Sequence, residues 1–119
     1  MRELVIKCTT GAEAPERANQ ALTVAAAGVA AGATVSLWLT GEAAWFGVPG
    51  RAEAFDLELA TPLAELRDMV LSGGSVTVCS QCAQRRGIIE ADLVEGARIA
   101  GAAVFAEKVL GDEVQALVY

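Results

Sequence analysis

The segment Gly73-Gly74-Ser75-Val76-Thr77-Val78-Cys79-Ser80-Gln81-Cys82-Ala83-Gln84-Arg85-Arg86-Gly87 changes character at its middle. A glycine pair stops whatever precedes it, and Ser75 to Cys79 then has the β-rich make-up of a strand. From Cys79 onward the residues suit a short helix through Arg86, broken at Gly87. A strand that passes directly into a helix is the building unit of α/β proteins with parallel sheets.

The same unit recurs on both sides. Leu4-Val5-Ile6-Lys7-Cys8 is a β-rich run ended by Thr9-Thr10-Gly11. Pro15 suits a first helical turn; Ala18, Leu22, Ala25 and Val29 follow at helical spacing, and Gly32 occupies a C′ position. Val35 to Leu39 reads as a second strand, ended by Thr40-Gly41. Residues 42–60, with Gly47, Pro49 and Gly50, are the least regular part and predict a loop with a short helical piece. Thr61 as N-cap and Pro62 as first helical residue predict a helix whose buried stripe is Leu63, Leu66 and Val70, stopped by Gly73-Gly74. Beyond Gly87, residues 97–100 suggest a fourth strand, 102–110 a helix ended by Gly111, and 114–118 a closing fifth strand. The expected fold is α/β, with a mostly parallel five-stranded sheet covered on both faces and its ligands at the C-terminal strand edge.

Composition narrows the function classes. The 119 residues allow one domain, spanning 1–119. At 54% hydrophobic and 20% charged the chain is no disordered tail. Its positive mean hydropathy leaves more apolar surface than one small core requires, which predicts a homo-oligomer. The net charge of −6 and scattered basic residues argue against direct nucleic-acid binding. No charge falls between Arg17 and Glu42, but Ala and Gly dominate residues 24–33 and Gly32 breaks the pattern. A helix followed by a buried strand, with no membrane span, is the reading. The start of the chain has no secretory pattern, and three cysteines are an odd number for a disulfide framework, so a reducing cytoplasm is expected.

The chemistry centres on Cys79, at the end of a strand and the start of a helix. Free N–H groups at such a junction stabilise a thiolate. Lowering a thiol pKa from about 8.5 to about 7 raises the thiolate share at neutral pH from a few per cent to about half. Cys82 follows on the same helix face, and Arg85 and Arg86 would add positive potential if the helix folds back. Cys8 also ends a strand, which puts it at the same sheet edge, although burial in that strand suits it better. Trp38 and Trp45 flank the second strand's end and are core residues or walls of a cleft. Four readings compete for the Cys79–Cys82 pair. The two cysteines are small buried residues; or they bind zinc, for which the sequence offers no histidine and no second Cys-x-x-Cys. They form a thioredoxin-type redox pair, although all three prolines precede the motif; or a thiolate carries sulfur as a persulfide. The missing histidine excludes a Cys–His hydrolase and leaves sulfur relay intact. Thr9-Thr10-Gly11 lacks the glycine spacing of a phosphate loop and reads as a plain turn.

Taken together, these residues resemble the DsrE-like (DsrE/DsrF, also YchN/TusD-like) sulfur-relay family. The similarity includes Pro15-Glu16-Arg17-Ala18 at a helix start, Gly32-Ala33-Thr34-Val35 leading into a strand that ends Leu39-Thr40-Gly41-Glu42, and Val78-Cys79 with Arg86-Gly87-Ile88 after it. Asp92-Leu93, then a Gly-led strand, a helix and a closing strand, continue it. The resemblance implies a three-layer α/β/α domain, assembled as a homotrimer or hexamer or with paralogues. It also implies that Cys79 holds sulfane sulfur, with Arg85, Arg86 and Gly87 in support and Cys82 an additional cysteine. Such a protein acts as a sulfurtransferase, between donor and acceptor proteins, in tRNA thiolation or in sulfur metabolism, with no cofactor and no metal. The alternative is a non-catalytic oligomeric subunit that senses redox state through a Cys79/Cys82 dithiol.

Overall fold

The computed structural model describes residues 2–119. Five strands, β1 (Glu3–Cys8), β2 (Thr34–Leu39), β3 (Gly74–Cys79), β4 (Arg98–Ala100) and β5 (Val114–Val118), form one sheet in the order β4-β3-β2-β1-β5. Every pairing is parallel. The helices are α1 (Pro15–Ala30), α2 (Arg51–Ala54), α3 (Leu63–Gly73), α4 (Ser80–Arg85) and α5 (Ala102–Val109). Two 3-10 turns, Gly41–Gly47 and Glu90–Asp92, complete the chain.

Strand order and handedness divide the helices. β1 to β4 follow one another across the sheet in a single direction, so their right-handed crossovers lie on one face. β5 returns to the far side of β1, which carries α5 to the other face. Side chains alternate along each strand, and the register aligns them across strands. Ile6, Cys8, Val35, Leu37, Leu39, Val76 and Val78 thus share the α1/α3 face, and all are buried. Ala18, Ala21, Leu22 and Ala25 of α1 and Leu63, Leu66 and Val70 of α3 complete this core. Each fully buried Leu, Ile or Val contributes about 1.5–3 kcal/mol. Small residues bring α1 close to the sheet: a Cβ on Gly28 would stand 2.8 Å from Leu4 Cδ2 and 3.0 Å from Val35 Cγ2.

The α5 face has different chemistry. Glu3, Lys7, Ser36, Trp38, Ser75, Thr77 and Cys79 project there. Lys108 of α5 donates to the Glu3 carboxylate at 2.8 Å, and Ser36 Oγ donates to the same carboxylate at 3.1 Å. With its proton committed, Ser36 accepts from Ser75 Oγ at 3.2 Å. Polar ties of this kind hold the C-terminal end of α5 to the sheet, while Phe105, near the middle of the helix, packs edge-on against Trp38, with ring centroids 5.2 Å apart and planes at 79°.

Two local expectations shift. The third helix begins at Leu63, with Pro62 in extended backbone (φ −51°, ψ 132°) as its N-cap residue, one position later than Thr61 would place it. A proline ring fixes φ but leaves ψ free, so Pro62 is equally suited to the residue before the first turn. The irregular stretch after Thr40 contains more structure than expected, a 3-10 turn followed by α2. Its anchor is Arg67 of α3, only 3% exposed, which donates to the Phe46 carbonyl at 3.2 Å and to Glu53 at 2.9 Å. Among the described residues no helix is long and apolar enough to cross a membrane.

Candidate functional site

The C-terminal ends of β1, β2 and β3 meet α4 and the start of α5. Cys79 is the last residue of β3 and the N-cap of α4, in extended backbone (φ −61°, ψ 130°), with its side chain half-buried. Burial alone would raise its pKa. The backbone N–H of Cys82, the Cys82 thiol, the backbone N–H of Gln81 and the positive charge of Lys7 outweigh that penalty and hold the thiol below its ordinary range. These donors act at contact distance, so α4 needs no length to exert the effect.

Cys82 is itself held. Its sulfur accepts the Gly41 N–H at 3.1 Å, and its carbonyl accepts from Arg86 at 3.1 Å. Gly41 has φ +55°, and a Cβ there would stand 2.7 Å from the Thr9 carbonyl oxygen, so the turn requires glycine. Arg86 also grips Glu42, its Nε and Nη2 both 2.8 Å from Oε2. Its charge is thereby spent on fastening α4 to the turn after β2, whereas Arg85 is exposed on the outer side of α4. Gly87 takes φ +68° where α4 ends, the left-handed conformation of a helix stop.

A cavity of about 50 Å³ borders Cys79, lined also by Lys7, Trp38, Thr40, Ala102 and Phe105. Lys7 pairs in register with Trp38, and Trp38 with Thr77, one step before Cys79 on the same face. The Lys7 ammonium lies 4.9 Å from the centre of the Phe105 ring, in a cation–π contact. Trp38 is 3% exposed, and its Nε1–H has no hydrogen-bond partner. Larger hollows exist, one of about 640 Å³ beside Pro15, Arg17 and Tyr119, but its lining carries no thiol.

The residues expected at the site therefore separate. Cys79, Cys82 and Trp38 come together. Cys8 reaches the same strand edge but turns into the α1/α3 core, where burial pushes its thiol up to about 11, a backbone hydrogen bond at Thr10 offsets part of this, and the Glu13 carboxylate adds to it. Trp45 lies away from the cavity, its ring under the Arg51 guanidinium at 3.9 Å. Lys7, Thr40, Ala102 and Phe105 were not foreseen. One signal pointed to Lys7: a charged residue inside a central parallel strand is unusual and calls for a partner.

Residues 3–114 match the model of the DsrE/DsrF-like family. In overall structure the chain is similar to the ychN protein of E. coli, with a TM-score of 0.84, 20% identity and all of both chains covered. It is also similar to MTH1491 of Methanobacterium thermoautotrophicum, a protein of unknown function, at a TM-score of 0.63 and 9% identity over all of both chains. BT1422 of Bacteroides thetaiotaomicron, likewise of unknown function, gives 0.59 at 16% identity, covering 98% of this chain and 94% of the other. These likenesses establish the fold. No curated protein sequence matches the chain.

Proposed function

We propose a function from one premise: the chain belongs to the DsrE/DsrF-like family. It is a sulfur carrier that holds sulfane sulfur as a persulfide on Cys79 and hands it to an acceptor thiol. The observation that supports this most directly is the contrast among its thiols. Cys79 is accessible, is held below the ordinary thiol range and borders a cavity, whereas Cys8 is sealed in the core.

The chemistry is a pair of displacements. The Cys79 thiolate attacks the outer sulfur of a donor persulfide, R–S–S–H. A new S–S bond forms at Cys79, the donor S–S bond breaks, and its electron pair leaves with R–S⁻. The outer sulfur keeps its proton until it ionises to solvent. An acceptor thiolate then attacks that outer sulfur, and Cys79 departs as thiolate. No net electrons are exchanged in either displacement. Cys82 and the Gln81 N–H stabilise the Cys79 thiolate both as nucleophile and as leaving group.

The test is intact-mass measurement after incubation with a low-molecular-weight persulfide. The wild type gains one sulfur, Cys79→Ser gains none, and Cys8→Ala and Cys82→Ser still load. Uptake by Cys79→Ser would overturn the reading. A second reading, a redox-sensing subunit, draws on the contact between the Cys79 and Cys82 thiols. A mild disulfide oxidant would remove two electrons and two protons to join them. That reading requires Cys82, whereas sulfur carriage does not.

Homo-oligomerisation, as a trimer or hexamer, belongs to the same proposal. Leu110, the C-cap residue of α5, is 81% exposed, and Val118, which pairs with Lys7 in register, is 65% exposed, apolar surface that a second copy would cover. Donor and acceptor proteins and a cytoplasmic setting complete it. Sedimentation of the purified chain checks the assembly.

A further inference from the structure

Cys82 is held at both ends by one closed circuit of contacts. Its sulfur accepts the Gly41 N–H at 3.1 Å, and its carbonyl accepts from Arg86 Nη1 at 3.1 Å. Arg86 then reaches Glu42, the residue after Gly41, with Nε and Nη2 each 2.8 Å from Oε2. The circuit joins the far end of α4, where Arg86 is the C-cap residue, to the turn after β2. It adds little stability directly, because the Arg86 and Glu42 side chains are 19% and 50% exposed and water screens so open an ion pair. What it supplies is geometry. With six residues α4 is too short to hold a helix on its own, so contacts with the rest of the chain decide where it lies.

We propose that Arg86 is a positioning residue for Cys79 and acts through Cys82: with Glu42 it closes a clamp that keeps the Cys82 thiol turned toward the Cys79 sulfur. A thiol has one proton to give and accepts only weakly on its sulfur. Because the Gly41 N–H occupies the acceptor side of Cys82, its S–H is left to donate to Cys79, and that contact favours the Cys79 thiolate. Gly41 and Arg86 thus grip the residue whose thiol and backbone N–H both serve Cys79. The charge of Arg86 is matched by the Glu42 carboxylate, and the cation that acts on Cys79 directly is Lys7 of β1. A guanidinium suits the place because its planar fork reaches a carboxylate and a carbonyl at once. A lysine ammonium there keeps the charge and loses the bridge. The clamp goes beyond the carrier reading, since it governs the ionisation of Cys79 whatever group the thiolate then takes up.

The experiment is the pH profile of Cys79 alkylation in the full chain, read by peptide mass so that each thiol is followed separately. Sealed Cys8 serves as the internal check that a variant is folded. The midpoint is the quantity compared, since a thiolate of higher pKa is also the stronger nucleophile and rates alone would understate the change. Arg86→Lys and Glu42→Ala are expected to raise the midpoint by about half a pH unit or more, roughly a threefold loss of thiolate near neutral pH. Glu42→Gln, which keeps an acceptor for Arg86, should raise it less. In a Cys82→Ala background Arg86→Lys should lose most of its effect, because the thiol it acts through is gone. In the unsubstituted protein the Gly41 amide resonance should shift as Cys79 ionises, a readout that depends on no variant folding. An Arg86→Lys midpoint equal to that of the wild type, an undiminished shift in the Cys82→Ala background, or a Gly41 amide that ignores the Cys79 titration would overturn the clamp. Sulfur loading is a separate measurement, so the clamp and the carrier reading can fail independently.

Discussion

Cys8 and Cys79 end parallel strands at the same edge of one sheet, and their chemistry is opposite. Cys8 points into the α1/α3 face, among leucines, valines and alanines, and its thiol is pushed up to about 11. Cys79 points to the α5 face, beside Lys7 and two backbone N–H groups, and its thiol is held down. Strand ends alone do not make a thiol reactive. One sheet face was given over to apolar burial and provides stability, while the other keeps serine, lysine, glutamate and tryptophan and provides a site.

The sharpest way to break this contrast is alkylation of the wild type across pH. At pH 7 a thiol with a pKa near 11 is ionised in roughly one molecule in ten thousand, so Cys79 is expected to react faster than Cys8 by orders of magnitude. The Cys79 profile should rise below the ordinary thiol range, and Cys8 should respond only toward pH 11 or on unfolding. Equal rates would end the distinction. Because the folded-state pKa of Cys8 is raised, its contribution to stability is complete below the ordinary thiol pKa and disappears as pH climbs through the folded value.

Stability should divide along the same line. Leu37→Ala, on the apolar face, is expected to cost about 2–5 kcal/mol through lost burial and an unfilled cavity. Its neighbour Ser36→Ala, on the polar face, removes the link between Glu3 and Ser75 and should cost about 1 kcal/mol. Denaturant unfolding of the two variants measures the difference directly.

Arg67 offers a smaller test, since it is a charge that the apolar side does bury. Arg67→Met leaves the Phe46 carbonyl unsatisfied and should cost about 1–3 kcal/mol. Arg67, chiefly through its hydrogen bond, lowers the Glu53 pKa, so the pair's stability is present above the unfolded carboxylate pKa and is lost as pH falls through the folded one. The acid arm of a stability–pH curve should flatten in Arg67→Met. The smallest effect is expected from Cys82→Ala: without its thiol hydrogen bond, the Cys79 alkylation profile should move to higher pH while loading persists.

Much of this molecule could be read locally. Glycine stops and helical spacing located every strand to within a residue, including Val114–Val118 and the closing turn of Cys79 into α4. Where local reading slipped, the cause was tertiary. Arg67 organises the stretch after Thr40 through contacts with residues far from it in sequence, and no pattern around Glu53 announces them. Arg85 and Arg86 were adjacent basic residues with equal promise, yet Glu42 takes one and solvent the other.

The alternation of strand and helix, the parallel sheet and the placing of Cys79 at a strand-to-helix junction were thus determined by the sequence itself, because periodicity and turn chemistry act over a few residues. Strand register and crossover handedness decided the rest. They turned Cys8 away from Cys79, and they brought Lys7 from β1, Trp38 from β2 and Phe105 from α5 to one cavity. Such neighbours meet only when the whole sheet has formed, since which strands lie side by side is a property of the assembled chain.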